Sequence, residues 1–210
     1  MAFPFQFDKL ITAHTETLSA DRRRIMQGAL KYGETQVSQI MTPRAQMFSL
    51  KRNEKLSFHV MSKIFESGYS RIPVWDDDDF HIVGLLYAKD LILLTPREEV
   101  PVVTVLSFFQ REYVPVVDEN DTLEEVLKVI NSEKVHFAAV RGIDNSVEDL
   151  DPVYKIVGCV TLEDILEEIL QMEVEDEFDT ASEGIFRELK SAPLPNSNCN
   201  FFFFFFANRF

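Results

Sequence analysis

The stretch "YVPVVDENDTLEEVLKVINSEKVHFAAV", residues 113–140, has the pattern of a strand, a loop, a helix and a second strand. Apolar residues recur every three or four positions in its helix, a spacing typical of a helix with one buried face. They are Leu123, Val126, Leu127 and Ile130. The stretch "MFSLKRNEKLSFHVMSKIFESGYSRIPV", residues 47–74, aligns with it without a gap, with Leu50 matched to Val116 and Val74 to Val140. The chain therefore contains the same supersecondary unit twice.

Both copies continue through a turn into a second apolar strand and a short helix. In the first copy these are "HIVGLLY" and "AKDLILL", and in the second they are "KIVGCVT" and "LEDILEEIL". The second copy carries extra residues between its strands, within "RGIDNSVEDLDPVY" at 141–154. A unit of about 60 residues is too small for a deep core. We therefore expect an α+β fold in which two β-α-β-β-α repeats pack on each other.

The repeats divide the chain into four parts. A helical lead-in, "SADRRRIMQGALKYGETQVSQIMTP", is capped by Ser19 and stops at Pro43. We expect a helical linker at 1–36, the first repeat at 37–98, the second at 99–178 and a tail at 179–210. The tail contains consecutive phenylalanines at 201–206, which fit no periodic structure and would promote aggregation if exposed. We interpret the tail as disordered or aberrant, from read-through or mis-splicing, and the chain as a fragment or incomplete gene product.

Composition and charge exclude several classes of protein. The chain is 46% hydrophobic and 27% charged, which is typical of a soluble globular domain, and its formal net charge is -14. No basic residue falls between Lys155 and Arg187, although acidic residues are frequent there. Such a surface repels phosphate backbones, so nucleic acid is not an expected partner. An anionic ligand would need a local basic group or a cation to offset this charge.

The sequence offers no catalytic or metal-binding set. Its 4 histidines are scattered without metal-ligand spacing, and no nucleophile–base motif or glycine-rich phosphate loop is present. The acids of "WDDDDF", residues 75–80, are typical of a solvated turn rather than of a cation site. Cys159 lies in an apolar strand, which favours a buried, reduced thiol. Because membrane-spanning and signal-peptide patterns are also missing, we expect a soluble protein that is not an enzyme.

Thr161 and Asp164 stand at the start of the last helix and allow two interpretations. A threonine followed three residues later by an acid is a common helix cap, in which the hydroxyl accepts from a backbone N–H. The acid also lies favourably near the positive end of the helix dipole. The other interpretation is a ligand site, and the local sequence alone favours the cap.

A set of motifs occurs in order along the repeat. They are "IMTP" ahead of the first copy, "SRIPV" and "GLLYAKDL" within it, and "GCVTLEDILEEI" at the end of the second. Together they resemble a tandem CBS pair, or Bateman module. More narrowly, they resemble the cytosolic CBS pair of the cyclin M (CNNM) magnesium-transport mediators and their bacterial CorC relatives. The resemblance covers roughly residues 18–179 and implies a pseudo-twofold pair of CBS repeats preceded by a helical linker.

The resemblance also implies a nucleotide site. In this family the pattern Gly-h-Thr-x-x-Asp at a strand-to-helix step binds an adenine nucleotide, which assigns ribose binding to Thr161 and Asp164. A carboxylate can accept hydrogen bonds from both ribose hydroxyls, so the chemistry is suitable. In the first copy the matching residues are Gly84, Tyr87 and Asp90, and Tyr87 would crowd a nucleotide. We therefore expect one working site per chain, in the second copy.

The family's phosphate contacts come from a strand of the first copy. The matching residues are Tyr69, Ser70, Arg71, Ile72 and Pro73. The planar guanidinium of Arg71 suits phosphate oxygens, although an ion pair with the acids at 76–79 is its alternative role. Thr42 is a further candidate ligand contact, or a cap or turn residue. Because the surface is acidic, we expect Mg-ATP as the cofactor, with Mg²⁺ bound through the phosphates.

The insertion in the second copy has a possible role of its own. In animal cyclin M proteins a long loop at this place docks into phosphatases of regenerating liver, with an aspartate entering the active site. The matching residues are Asp151, Pro152 and Tyr154. A carboxylate can imitate a phosphate oxygen pair facing an anion-binding loop. The alternative is an ordinary hydrophilic loop, because Asp-Pro is a common turn opener.

These expectations combine into a regulatory module of a magnesium or divalent-cation transport protein, on the cytosolic side of the plasma membrane. The expected partners are a second CBS pair in a homodimer and the membrane transport domain of the parent protein. Nucleotide binding would be relayed by a change in the dimer. Two alternatives remain: a phosphatase-docking module, and a CBS pair that regulates a metabolic enzyme. The lead-in sequence argues against the latter.

Overall fold

The structure is a computed structural model that describes residues 19–77, 81–94, 96–144 and 153–172. Within these residues the α-helices are α1 (Ala20–Lys31), α2 (Phe58–Ser67), α3 (Val102–Phe109), α4 (Leu123–Glu133) and α5 (Leu162–Leu170). The strands are β1 (Thr42–Pro43), β2 (Leu50–Lys51), β3 (Arg71–Trp75), β4 (Ile82–Tyr87), β5 (Val116–Asp118), β6 (Phe137–Asp144) and β7 (Val153–Thr161). Short 3-10 helices lie at Val37–Gln39, Arg44–Gln46, Ala88–Leu93 and Pro96–Glu98. The predicted α+β class is confirmed.

The described chain packs as two compact units. The second-copy unit contains residues 19–47, 81–82, 114–144 and 153–172. The first-copy unit contains residues 48–77, 83–94 and 96–113. The lead-in ahead of the first repeat therefore packs with the second repeat, a division that the repeat boundaries in the sequence do not indicate.

The second-copy unit is built on a four-stranded sheet in the order β1-β7-β6-β5. Strands β6 and β7 form a long antiparallel hairpin, while β5 runs parallel to β6, with the helix α4 as the crossover between them. Its apolar core is formed by Val37, Val117, Leu123, Val126, Ile130, Ala138, Val140, Val160 and Ile165. Three of these, Leu123, Val126 and Ile130, are on the helical face that the sequence pattern predicted.

The first-copy unit is built on a three-stranded sheet in the order β2-β3-β4. Strand β2 is parallel to β3, and α2 is the crossover between them. Its core is formed by Leu50, Leu56, Met61, Ile64, Ile72, Val74, Leu86, Leu91, Val102, Val105 and Leu106. Both units thus repeat the same strand–helix–strand arrangement around separate cores.

The register of the sheets corrects one part of the sequence alignment. Leu50 pairs with Val74 in the first copy, whereas Val117, not Val116, pairs with Val140 in the second. Leu50 and Val117 are both buried, and Val116 is 49% exposed. The gap-free match of Leu50 with Val116 is therefore wrong by one residue. A shift of one residue turns a strand side chain to the opposite face, so the two copies differ in length between the first strand and the helix.

The lead-in completes the second-copy unit through its backbone. The Val37 N–H donates to the Asp121 carbonyl at 2.9 Å, and the Leu123 N–H donates to the Thr35 carbonyl at 2.9 Å. The side chain of Val37 is fully buried in the core. The first-copy unit contains an equivalent pair of backbone hydrogen bonds. The Leu56 N–H donates to the Val100 carbonyl, and the Val102 N–H donates to the Glu54 carbonyl.

Strand β1 can lie close against β7 because Gly158 on β7 has no side chain. Thr42 and Pro43 pair with Cys159 and Gly158, and a Cβ added to Gly158 would lie 2.5 Å from the Thr42 carbonyl oxygen. Gly84 in the first-copy unit similarly faces the Arg111 carbonyl. The glycine of the Gly-h-Thr-x-x-Asp pattern is therefore required by close backbone approach.

We expect Gly158→Ala to lower the free energy of unfolding by about 1–3 kcal/mol, because the added methyl group must displace β1. Gly33→Ala is the control, since a Cβ there meets only the Glu124 side chain at an ordinary 3.4 Å. Urea unfolding of the full chain measures both. Equal stability of the two variants would show that β1 does not constrain Gly158.

Candidate functional site

Thr161 and Asp164 form a reciprocal helix cap at the start of α5. The Asp164 N–H donates to Thr161 Oγ1 at 3.3 Å, and the Thr161 N–H donates to Asp164 Oδ2 at 2.7 Å. The Thr161 hydroxyl also donates to Asp164 Oδ2, at 2.9 Å. The cap interpretation therefore describes the contacts that these two side chains make within the chain.

The Asp164 carboxylate nevertheless lies in an unusual place for a cap. It is half-buried, and burial raises its pKa; the hydrogen bonds from Thr161 act in the opposite direction, and the charge of Glu163 adds to the rise. Among the described residues, every hydrogen bond to this carboxylate goes to Oδ2. Oδ1 is therefore able to accept a hydrogen bond from a ligand hydroxyl.

The chain contains a second cap of the same kind that serves as an internal comparison. At the start of α4 the Thr122 N–H donates to Glu125 Oε2 at 2.9 Å, and the Glu125 N–H donates to Thr122 Oγ1. This carboxylate is exposed, and its hydrogen bonds with Thr122 lower its pKa. Capping alone thus needs no buried acid, and the burial of Asp164 calls for another reason.

Thr42 lies near this cap on the neighbouring strand. It pairs with Cys159, and Thr161 is two residues further along β7, so the three side chains are on one face of the sheet. Diagonal neighbours of this kind lie about 7–8 Å apart. This face is opposite to that of Val160, which belongs to the apolar core. The structure therefore brings together the predicted residues Thr42, Thr161 and Asp164.

Cys159, which lies between Thr42 and Thr161, has a thiol of low reactivity. Its side chain is buried, and burial, followed by the nearby Asp164 carboxylate, raises its pKa to about 12. It remains a protonated thiol at neutral pH, in agreement with the reduced cysteine expected from the sequence.

The residues predicted to meet the phosphates belong to the first-copy unit. Tyr69 is exposed and its ring lies 6.1 Å from that of Phe48, while Ser70 is exposed and accepts from the Ala88 N–H through its carbonyl. Arg71 begins β3, and its guanidinium carbon lies 5.8 Å from the centre of the Tyr87 ring. The side chains of Ile72 and Pro73 are buried, which limits both to contacts through the backbone.

The first copy uses its matching aspartate differently. Asp90 is buried and accepts from Arg111 Nε at 3.2 Å, and the Arg111 guanidinium lies 4.1 Å from the centre of the Tyr87 ring. Arg111, a cation of the chain itself, therefore contacts both Tyr87 and Asp90, the residues that match Thr161 and Asp164. Arg111 was not predicted from the sequence, because it stands far from Asp90 in the chain. Its signal in the sequence is its position shortly before the first strand of the second copy, which is similar to the position of Thr42 before the first strand of the first copy.

The predicted docking residues are described only in part. Asp151 and Pro152 lie outside the described residues. Tyr154 on β7 is 53% exposed, and the Arg141 guanidinium lies 4.7 Å from the centre of its ring. Arg141 is itself held by Asp118, to which its Nε and Nη2 donate at 2.9 and 3.1 Å. Tyr154 is thus an exposed aromatic side chain stacked on a fixed cation.

The acidic turn after β3 makes contacts within its own unit. Asp76 pairs with Arg52 at 2.8 Å, and Asp77 accepts from the Asn53 side chain. The described residues contain no cluster of three or more His, Cys, Asp or Glu side chains suited to a metal ion. No helix within them has the length and apolar character that crossing a bilayer requires.

Comparison with known proteins identifies the class to which this architecture belongs. The family model for the CBS domain matches residues 37–96 and 105–171. The chain therefore belongs to the CBS-domain family and carries two such domains in tandem.

Individual relatives indicate which group of CBS-domain proteins the chain resembles. The chain is 36% identical over 164 residues to "Metal transporter cnnm-1" of Caenorhabditis elegans; the match covers 77% of this chain and 20% of that protein, so the chain spans about a fifth of that relative's length. It is similar to the CBS domain of a bacterial CNNM/CorC family Mg²⁺ transporter, with TM-score 0.67, 27% identity and coverage of 81% of this chain and 97% of the other. A structure of such a domain in complex with ATP gives TM-score 0.59, 30% identity and coverage of 72% and 98%. The tandem domains are thus of the CNNM/CorC kind, and the predicted family is confirmed.

The two caps are expected to respond oppositely to pH. Because the pKa of Asp164 is raised by folding, its contribution to stability is complete below the pKa of an unfolded aspartate, about 3.9, and is lost as pH rises through the folded pKa. Asp164→Asn, which keeps a carbonyl acceptor for the Thr161 N–H, should therefore gain stability relative to the parent chain as pH rises from about 4 to 7.

Glu125→Gln is the matched control in the exposed cap. The pKa of Glu125 is lowered, so its stabilisation is present above the unfolded pKa and lost as pH falls. This variant should lose stability relative to the parent chain over the same rise in pH. Urea unfolding at a series of pH values measures both, and a shared direction of change would contradict the effect of burial on Asp164.

Proposed function

We propose that this chain is the regulatory CBS pair of a CNNM/CorC-type magnesium or divalent-cation transport protein, and that it binds Mg-ATP in its second copy. The observation that carries the proposal is the half-buried Asp164 carboxylate, whose Oδ1 is able to accept from a ribose hydroxyl. The ATP complex of a bacterial relative that is 30% identical supports the choice of nucleotide. Thr161 and Asp164 are the ribose contacts, with Thr42 beside them.

The phosphate contacts and the bound Mg²⁺ are assigned from the charges around the site. Tyr69, Ser70 and Arg71 offer exposed or half-buried polar groups to the phosphates, and Ile72 and Pro73 offer only backbone. Because the chain carries a net charge of -14, Mg²⁺ bound through the phosphates lowers the repulsion that a triphosphate would meet. The affinity for the nucleotide would therefore depend on the magnesium concentration.

The parent protein and the assembly belong to the same proposal. The module would lie on the cytosolic side of the plasma membrane, beside a membrane transport domain, and would form a homodimer through its CBS pairs. Mg-ATP would favour one arrangement of this dimer, by no more than its difference in affinity for the two arrangements. No catalytic step is assigned to the chain.

Calorimetric titration of the full chain with ATP, with and without Mg²⁺, tests the nucleotide site. We expect binding that is stronger with Mg²⁺ and that weakens about 10–100-fold in Asp164→Ala, because charge-assisted hydrogen bonds contribute about 1.5–3 kcal/mol. Glu125→Ala removes the carboxylate of the other cap and should leave ATP binding unchanged. Unaltered ATP binding in Asp164→Ala, or an equal loss in both variants, would reduce Asp164 to a helix cap.

Phosphatase docking is the second candidate function. The observation in its favour is the exposed Tyr154, which is held against Arg141 at the base of the inserted loop. A rigid aromatic anchor beside a loop is typical of interaction sites. The loop aspartate, Asp151, would enter the anion-binding active site of a phosphatase of regenerating liver.

Asp151→Ala separates the two functions. We expect it to abolish binding of a purified phosphatase of regenerating liver, because the carboxylate that imitates phosphate is lost, while ATP binding is unchanged. Asp149→Ala makes the same change of charge two residues away and should retain phosphatase binding. Binding measured by biolayer interferometry that persists in Asp151→Ala would exclude this docking mode.

A further inference from the structure

Helix α1 is docked on the last turn of α5 through a close approach of the two backbones. Gly28 faces the carbonyls of Glu168 and Ile169. A Cβ added to Gly28 would overlap the Ile169 carbonyl oxygen and lie 2.9 Å from that of Glu168. The carbonyls of a last helical turn have no backbone partner within their own helix, and the missing side chain of Gly28 lets α1 cover them.

The two helices carry opposite charge. Helix α1 is mostly basic, at 22–24 and Lys31, with Asp21 in its first turn. Helix α5 has no basic residue and is acidic at 163, 164, 167 and 168. Lys31 Nζ lies 3.4 Å from Glu168 Oε1, beside the contact of Gly28. The Lys31 side chain is exposed, so this ion pair orients the helices more than it stabilises their docking.

Little apolar surface is buried where α1 docks. Within α1, all of which is described, Gly28 alone is buried. Ile25, Met26 and Leu30 are 37, 40 and 40% exposed. An element with few buried apolar contacts opens at a lower free energy than the core of its unit. We therefore expect α1 to leave α5 by local opening while the sheet of the second-copy unit stays folded.

The other end of α5 carries the candidate ribose site. Its first turn holds the reciprocal cap between Thr161 and Asp164, and its middle is fixed by Ile165, which is buried in the core of the second-copy unit. A helix of 9 residues spans about 13 Å, and its hydrogen bonds link each turn to the next. A shift of the first turn is therefore passed to the last turn, where Gly28 lies.

We propose that α5 couples its two ends, so that the docking of α1 is the output of the second-copy site. A tight cap holds α5 where its last turn fits Gly28, and a ligand at Asp164 adds to that hold. Coupling between two sites is reciprocal, so displacement of α1 loosens the cap by the same factor. The coupling is a property of the chain without ligand, and only the ligand that drives it, Mg-ATP, rests on the proposed function.

Hydrogen exchange of the full chain, read by mass spectrometry of peptides from α1 and α5, measures the coupling without ligand. Thr161→Ala removes the hydroxyl of the cap and should speed exchange in α1 about fivefold. Ser57→Ala is the matched control, since the Ser57 hydroxyl caps α2 in the first-copy unit, and exchange in α1 should not change. No response of α1 to Thr161→Ala, or an equal response to both variants, would overturn the proposal.

Gly28→Ala tests the reciprocal direction, and the sign of its effect is decisive. Alanine favours an isolated helix over glycine by about 1 kcal/mol, which corresponds to exchange about fivefold slower if α1 stands alone. We expect faster exchange in α1 and in the first turn of α5, because the added methyl group displaces α1. Slower exchange in α1, or an effect that does not reach Asp164, would contradict the coupling.

Saturating ATP with Mg²⁺ separates this proposal from the nucleotide site. It should slow exchange in α1 of the parent chain by about fivefold or more. If ATP does not bind, the nucleotide proposal fails, and the two comparisons without ligand still decide the coupling. If ATP binds and exchange in α1 is unchanged, α1 is not the output of the site, and the nucleotide proposal stands without it.

Discussion

Two backbone hydrogen bonds, from Val37 to Asp121 and from Leu123 to Thr35, close the unit that carries the candidate ribose site. A repeat of about 60 residues has only a shallow apolar core, so a further segment that packs against it adds stability. The lead-in supplies the buried side chain of Val37 and the strand that pairs with the edge of β7. The position of Thr161 and Asp164 therefore depends on residues that come far earlier in the chain, ahead of the first copy's helix.

Much of this architecture follows from the sequence, because periodicity reports local structure directly. The buried face of α4 and the cap at Thr161 were both predicted from spacing alone. The register of the first strands was not, because the two copies differ in the spacing between the first strand and the helix cap, and a gap-free alignment conceals that difference. The contact of Arg111 with Asp90 was also missed, since no local pattern links two side chains that only the fold brings together.

The two helix caps differ in the environment of their acidic side chains. Glu125 makes its cap in solvent, and its hydrogen bonds lower its pKa, so the charge stabilises the fold at neutral pH. Asp164 makes the same hydrogen bonds in a half-buried place, and its pKa is raised, so its charge destabilises the fold at neutral pH. A neutral residue would fill the position of Asp164 at lower cost to stability, which supports our proposal that its charge serves a ligand.

The two copies diverge at one position of the segments that precede them. The carbonyl of Thr42 faces Gly158 in the second-copy unit, and the carbonyl of Arg111 faces Gly84 in the first-copy unit, so these residues correspond. A threonine is too short to neutralise the nearby aspartate, and Asp164 keeps an oxygen for a ligand. An arginine reaches Asp90 and binds it. The exchange of this one side chain thus leaves Asp164 Oδ1 without a hydrogen bond from the described residues, whereas the Asp90 carboxylate is bound by a cation of the chain.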